Sequence, residues 1–158
     1  MKGRMVKRTF RLVGIKGKGA FEEFGAIVPG VAREVMSRSG EIGPAAVTEI
    51  AIFEPKKSVD QPEGEFCVGL MVEGPARNVP LGMSYCEIEG DYATARGKME
   101  GLNQLHTDLL SWAACNGHQM DTEKRIIEVY YPADSGEEVE IFLPMLVSRA
   151  NNRSSLYS

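Results

Sequence analysis

The sequence has few of the residues that build covalent cross-links or metal sites. It contains three cysteines and two histidines among 158 residues. The cysteine number is odd and no two cysteines have the CxxC spacing of a zinc or redox site, so we expect reduced thiols. His106 and His118 are too far apart in sequence to form a metal site of known spacing. We predict no metal ion and no cofactor.

Long hydrophobic runs are also absent. No apolar segment approaches the roughly 20 residues that span a bilayer, and the first residues lack the hydrophobic stretch of a signal peptide. These absences predict a cytoplasmic protein that is neither secreted nor inserted in a membrane. With 43% hydrophobic and 25% charged residues, the composition is that of an ordinary globular protein. A chain of this length fits a single domain, which we place over residues 1–158.

Positive charge is scarce beyond the start of the chain. Seven of the 18 lysines and arginines precede Glu22, the first of the 22 acidic residues. Because phosphate contacts need clustered Lys and Arg, the acidic remainder disfavours nucleic acid as a direct partner. We interpret the basic start as a solvated strand rather than a phosphate-binding arm.

The sequence contains the same order of features twice. Each half begins with an apolar strand and a glycine, continues with a helical stretch that ends at a glycine, and closes with two strands. Phe53-Glu54-Pro55 in the first half corresponds to Tyr130-Tyr131-Pro132 in the second. We predict an α+β fold with a duplicated βαββ repeat and pseudo-twofold symmetry, in which antiparallel sheets and two long helices surround a central cleft. The repeats lie at about residues 5–74 and 79–145, and a polar tail follows at 146–158.

Apolar residues recur at helical spacing in both halves. The first apolar face comprises Phe21, Phe24, Val28, Val31 and Val35, and the second comprises Leu102, Leu105, Leu109 and Trp112. Proline lacks a backbone donor, so we expect Pro29 to kink or split the first helix. We expect the second helix to end at Asn116-Gly117.

Period-two patterning predicts which strand faces meet the helices. Within residues 125–131, Ile127 and Val129 form a wholly aliphatic face, and Glu128 and Tyr130 lie on the opposite one. We expect the aliphatic faces to pack against the helices. The opposite faces would then line a concave, aromatic, carboxylate-bearing cleft between the repeats.

The repeat projects further side chains onto this cleft. A shift of 77 residues superposes Tyr130 on Phe53, while Tyr85 and Glu87 share one face of their strand. The candidate ligand-binding residues are Glu128, Tyr85, Tyr130, Trp112, Phe53, Phe142 and Glu87. For several of these residues an ordinary structural role remains an alternative to ligand binding. Trp112 fits the apolar core of its helix, the tyrosines fit ordinary strand positions, and Glu128 fits an open, solvated sheet face.

Short segments spread along the chain together resemble a known family. They are VPLGMSY (79–85), EG (89–90), LLSW (109–112), NG (116–117), RIIEVYYP (125–132) and EVEIFLP (138–144). In this order and spacing they resemble the GyrI-like family, also called the bacterial effector-binding domain. The resemblance covers about residues 5–145 and implies the same duplicated βαββ fold. Because no helix-turn-helix precedes residue 10, we expect a free-standing member rather than a DNA-reading regulator.

The resemblance implies binding of bulky, often cationic, planar molecules in an aromatic pocket with a buried glutamate. Glu128 matches that glutamate. Some free-standing members are similar to enzymes that hydrolyse cyclopropane-bearing DNA alkylators with a pocket glutamate and tyrosine, which would make Glu128 and Tyr130 catalytic. The gyrase-inhibitor name of the family adds a protein-interaction module, such as a gyrase modulator, as a third possibility.

A carboxylate among apolar and aromatic groups favours a cationic ligand. Desolvation disfavours its charged form, so Glu128 is either protonated or open to a cation. Each aromatic face can add roughly 0.5 to 2 kcal/mol by cation–π contact. We therefore predict a binder of hydrophobic, cationic aromatic molecules that acts in multidrug-type effector binding or in detoxification by sequestration. Hydrolysis would use the same residues, whereas a haem site would rest on His106 alone and is not favoured.

Overall fold

The structure is a computed structural model that describes residues 2–43, 46, 48–75, 78–132 and 136–146. In the first half the elements are β1 (Arg4–Ala20), α1 (Phe24–Ser37), the one-turn α2 (Ser39–Ile42), β2 (Glu49–Phe53) and β3 (Glu63–Met71). In the second half they are β4 (Ser84–Lys98), α3 (Leu102–Cys115), β5 (Ile126–Tyr131) and β6 (Glu138–Pro144). Apart from α2, the order βαββ occurs twice, as the sequence predicts.

The strands of both halves form one closed antiparallel barrel. Its strand order is β1-β3-β2-β5-β6-β4, and β4 pairs again with β1. The halves therefore meet at two seams, β2–β5 and β1–β4, on opposite sides of the barrel. Closure pairs both edges of each of these six strands, and unpaired edges are the feature by which open sheets aggregate.

The register at the seams shows where the pseudo-twofold axis passes. At the β2–β5 seam Ala51 faces Glu128, and these two residues are separated by the same 77 positions that relate the halves. Two equivalent residues that face each other mark a twofold axis. Glu128 therefore lies on the axis of the molecule, opposite the smallest chiral side chain.

The barrel interior is filled by side chains from all six strands. Its buried cluster comprises Phe10, Leu12, Ile50, Ile52, Cys67, Tyr92, Ile127, Val129 and Phe142. The expectation that the aliphatic face of β5 meets a helix is therefore wrong: Ile127 and Val129 point into the barrel. A closed barrel encloses one face of every strand, and the fully apolar face of β5 is the one that loses most by contact with water. The expectation holds for β6, where Val139 and Ile141 pack with Leu109 of α3.

The two long helices pack on the outside of the barrel. α1 lies against β1 and β3, and α3 lies against β4 and β6. The expected split at Pro29 is absent, because α1 continues through this residue. Pro29 stands in the second turn and removes only the hydrogen bond to the carbonyl of Gly25. As expected, α3 stops before Asn116, and Gly117 follows with a left-handed φ of 78°.

Two further predictions concern membrane insertion and the polar tail. Within the described ranges, no helix has the length and apolarity needed to cross a membrane. Residues 147–158 of the predicted polar tail lie outside the described residues.

Candidate functional site

A cleft of about 740 Å³ lies outside the barrel, over the β2–β5 seam and between α1 and the start of α3. Its floor comprises Glu49, Phe53, Ile126, Glu128 and Tyr130. The wall on the α1 side comprises Phe21, Phe24, Gly25, Val28, Pro29, Ala32, Arg33 and Met36, and the α3 side comprises Met99, Leu102, Asn103 and His106. The volume is that of a site for a drug-sized molecule.

The cleft straddles the pseudo-twofold axis. Lining residues of the two halves form equivalent pairs, which are Phe21/Met99, Phe24/Leu102, Gly25/Asn103, Val28/His106, Glu49/Ile126 and Phe53/Tyr130. Members of the helical pairs are 78 positions apart and members of the strand pairs 77. The duplicated fold thus creates the concave shape, while the differences within the pairs determine its chemistry.

One half of the cleft holds a connected polar group. Glu128 is 5% exposed. The Tyr130 hydroxyl donates to Glu128 Oε1 at 2.6 Å, and His106 Nε2 lies 2.7 Å from Glu128 Oε2. Both distances are those of strong hydrogen bonds to a carboxylate. Each carboxylate oxygen therefore has its own donor, one from the floor and one from the helical wall.

Burial shifts the proton equilibria of two other floor residues. Burial and, after it, the charge of Glu128 raise the pKa of Tyr130 well above the ordinary value for tyrosine. Tyr130 thus keeps its proton and serves as a donor. Desolvation, together with the charge of Glu137, raises the pKa of Glu49, which faces Tyr130 across the strands. Desolvation thus disfavours the charged form of Glu49 on the cleft floor.

The other half is apolar at the equivalent positions. Ala51, Phe53 and Val28 stand where the second half has Glu128, Tyr130 and His106. Phe24 packs edge-on to Phe53, with ring centroids 6.3 Å apart, and lies 5.3 Å from the ring of Phe21. At these equivalent positions the second half is therefore polar and the first half apolar.

The structure brings three of the candidate residues together and places four elsewhere. Glu128, Tyr130 and Phe53 line the cleft. Tyr85 and Glu87 lie at the β1–β4 seam, on the far side of the barrel. There the Tyr85 hydroxyl and Arg11 Nε each donate to Glu87 Oε1 at 2.9 Å. Period-two alternation places these side chains outside the barrel but does not determine which seam they occupy.

Trp112 and Phe142 also lie away from the cleft. Trp112 packs in the cluster between α3 and the barrel and stacks on His118 at a centroid distance of 6.3 Å. Phe142 is inside the barrel, with its ring centroid 4.8 Å from that of Phe10. Phe142 points inward because it alternates with Ile141, whose side chain packs toward α3.

His106 is the site residue that the sequence interpretation missed. The predicted apolar face of its helix runs through Leu102, Leu105, Leu109 and Trp112 without His106, and the sequence gives this histidine no recognisable partner. The signal is present in the repeat, because a shift of 78 residues superposes His106 on Val28. Val28 belongs to the apolar face predicted for the first helix. In the part of the chain that the structure describes, no group of three or more His, Cys, Asp or Glu side chains is arranged to hold a metal ion.

The chain resembles solved structures by its fold. No model of a known protein family matches the sequence, and no curated protein is similar to it. SAV2435 bound to tetraphenylphosphonium superposes with a TM-score of 0.63 at 13% identity, over 92% of this chain and 94% of that one. The C-terminal domain of EcmrR gives a TM-score of 0.62 at 15% identity, over 93% and 98%. A hydrolase encoded by lin2189 from Listeria innocua gives 0.55 at 13% identity, over 92% of each chain.

These structures share the GyrI-like fold, and so does this chain. The fold that the short segments predict is thereby confirmed. At identities of 13–15% the likeness establishes the fold. Function has to be argued from the residues in the cleft.

Proposed function

We propose that the protein binds bulky hydrophobic molecules carrying a positive charge in the cleft between α1 and α3. The observation that carries the proposal is a carboxylate, Glu128, that is 5% exposed and forms part of the cleft floor. A buried carboxylate is stabilised by a cation at contact distance. A lipophilic cation also loses little hydration when it enters an apolar cleft.

The difference between the two halves narrows the class of ligand. A positive group at the Glu128 end would meet the carboxylate, and its apolar body would lie against Phe24, Phe53 and Val28 at the other end. Aromatic rings of the ligand could stack on these phenyl rings without specific hydrogen bonds. We therefore propose a monocation with a flat or multi-ring aromatic body as the preferred ligand.

Two of the similar structures support this proposal. SAV2435 was solved bound to tetraphenylphosphonium, an aromatic monocation of the proposed class. The C-terminal domain of EcmrR has the same fold. We propose multidrug-type effector binding or sequestration of such molecules in the cytoplasm as the role of this chain.

Tetraphenylphosphonium and tetraphenylborate provide the test, since they share four phenyl groups around one atom and differ in the sign of their charge. The protein should bind the phosphonium and not the borate. Glu128→Gln should weaken phosphonium binding at least about tenfold, because a partly shielded pair of unit charges interacts by on the order of a few kcal/mol. The matched control is Glu87→Gln, which removes a carboxylate on the far side of the barrel and should leave the affinity unchanged.

Two results would contradict the proposal. One is equal affinity for the two ions of opposite charge. The other is an equal loss of phosphonium affinity in Glu87→Gln and Glu128→Gln. Thermal unfolding of each variant would establish that the affinity is measured on folded protein.

Hydrolysis is the second candidate function, favoured by the contacts of Tyr130, Glu128 and His106. A carboxylate held between two donors can activate water as a general base, its protonated form can donate a proton to a leaving group, and the tyrosine can position the substrate. The hydrolase from Listeria innocua has the same fold. On incubation with a cyclopropane-bearing alkylator, a hydrolase would form ring-opened product over many turnovers, and Glu128→Gln would abolish it. Unchanged alkylator in the presence of the wild-type protein would exclude this candidate.

A further inference from the structure

We propose that the cleft takes up a cation in exchange for a proton carried by His106, so that binding and deprotonation are coupled. This inference rests on the proposed function and assigns a role in it to His106. Glu128 Oε2 is 2.7 Å from His106 Nε2, and the His106 side chain is 25% exposed to the cleft. Both side chains line the cleft, so a ligand there would contact this pair.

The charge of this pair depends on one proton. With His106 protonated, the imidazolium and the Glu128 carboxylate together are neutral. With His106 neutral, the pair carries one negative charge and still keeps the hydrogen bond through Nε2–H. Tyr130 does not change this balance near neutral pH, because burial and Glu128 raise its pKa. Only the pair with neutral His106 presents a net charge that attracts a cation.

Other charged groups face the same space from each surrounding element. They are Arg33 of α1, Glu49 of β2, Glu54 and Lys56 after β2, and Glu137 before β6. Glu49 is the rival source of a proton, since desolvation and Glu137 raise its pKa. Glu49 lies on the floor of the cleft, and His106 lies in its α3 wall. Separate substitutions of the two residues can therefore show which one releases the proton.

Cation binding and protonation of His106 oppose each other, which fixes the direction of the pH dependence. A permanent cation and the His106 proton both reduce the net negative charge beside Glu128, so each weakens binding of the other. Because a rising pH removes the proton that competes with the cation, affinity for the cation should rise with pH. The limiting slope is about tenfold per pH unit for one exchanged proton, and the affinity should level off once His106 is neutral.

Calorimetric titration of the wild-type protein with tetraphenylphosphonium tests this coupling directly. The phosphonium has no acidic proton, so any proton released comes from the protein. At pH 6, titrations in two buffers with different ionisation enthalpies should give different observed enthalpies, corresponding to release of a substantial fraction of one proton. Identical enthalpies in both buffers, together with an affinity that does not change from pH 6 to pH 8, would overturn the proposal.

Substitution of the two histidines assigns the proton. His106→Gln keeps an N–H donor for Glu128 but has no proton to exchange. This variant should bind the phosphonium without proton release, and its affinity should stay constant from pH 6 to pH 8, whereas that of the wild type rises. His118→Gln, which alters the histidine stacked on Trp112, is the matched control and should behave as wild type. A merely structural role for His106 would lower the affinity at both pH values.

The results also separate this inference from the proposed function. Proton release that persists in His106→Gln and disappears in Glu49→Gln would assign the proton to the floor carboxylate and overturn the role of His106. Phosphonium binding that depends on Glu128 but releases no proton would overturn the exchange and leave the proposed function standing. Failure of the wild-type protein to bind the phosphonium at either pH would overturn both.

Discussion

At the scale of single residues, the site depends on how a buried carboxylate is held in place. Tyr130 and His106 each provide a donor to one oxygen of Glu128. A charged hydrogen bond of this kind is worth about 1.5 to 3 kcal/mol, and an unsatisfied buried acceptor costs a similar amount. Both oxygens of Glu128 therefore have a polar partner before any ligand arrives.

Removal of the Tyr130 hydroxyl should expose this dependence. We expect Tyr130→Phe to lower the free energy of unfolding by about 1 to 3 kcal/mol, because Glu128 Oε1 loses its donor. Urea unfolding monitored by circular dichroism measures the change. Tyr131→Phe is the control, since Tyr131 contacts Arg96 through its ring, with the guanidinium 4.1 Å from the ring centroid. A similar loss in both variants would show that the Tyr130 hydroxyl has no special role.

Site residues could be predicted from the sequence where the signal was local. Alternation along one strand placed Glu128 and Tyr130 on one face, and the repeat added Phe53. The positions of Tyr85 and Glu87 depend on which strands pair to close the barrel, and this pairing joins residues far apart in sequence. His106 was missed because its partner lies on another element, although its equivalence to Val28 was available in the repeat.

At the scale of secondary-structure elements, the barrel needs a close approach of β1 and β3. Gly14 faces Gly69 across these strands. A Cβ atom at Gly14 would lie 2.2 Å from the carbonyl oxygen of Val68, which belongs to the backbone and cannot turn aside. This pair of glycines thus sets the spacing of the two strands on the α1 side of the barrel.

Substitution of one of these glycines should disturb the strand pair. We expect Gly14→Ala to lower the free energy of unfolding by about 1 to 3 kcal/mol or more through overpacking. Gly40→Ala is the control, because a Cβ atom there meets no other atom within 4 Å. Equal stability of Gly14→Ala and wild type in urea unfolding would contradict the close approach.

The elements themselves were largely predictable, while their assembly was not. Helical spacing and period-two alternation depend on neighbours in the chain, and they gave both long helices and the strands of each repeat. Which strand face points inward depends on barrel closure. Alternation alone therefore predicts that the aliphatic face of β5 meets a helix, whereas Ile127 and Val129 fill the barrel.

At the scale of the whole molecule, the duplicated fold creates the shape of the cleft, and the sequence differences between the two repeats determine its chemistry. The pseudo-twofold axis passes through the Ala51–Glu128 pair. A symmetric chain would have two identical half-sites, with either two carboxylates on the axis or none. The present chain instead has one carboxylate opposite an alanine, and this asymmetry gives a bound ligand one preferred orientation.

Buried tyrosines should make the stability of the whole molecule depend on alkaline pH. Burial, followed by Asp91 and Glu89, raises the pKa of Tyr92 to about 12, and the pKa of Tyr130 is raised as well. Unfolded tyrosine ionises near pH 10. The stabilising contribution of these groups is therefore complete below about pH 10 and is lost as the pH rises above it.

Unfolding experiments between pH 8 and pH 11 check this dependence. We expect the free energy of unfolding to fall once the pH exceeds about 10, because only the unfolded chain releases these protons. Tyr92→Phe should reduce the slope. Ionisation of Tyr92 in the folded protein at the ordinary tyrosine pKa, seen by ultraviolet absorbance, would contradict the prediction.

The position of a bound cation tests the proposed site most directly. A crystal structure of the complex with tetraphenylphosphonium should show the phosphorus atom closer to the Glu128 carboxylate than to Glu87, with phenyl groups against Phe24 and Phe53. A phosphonium bound at the β1–β4 seam beside Tyr85 and Glu87, with the cleft over β2 and β5 empty, would contradict the proposal.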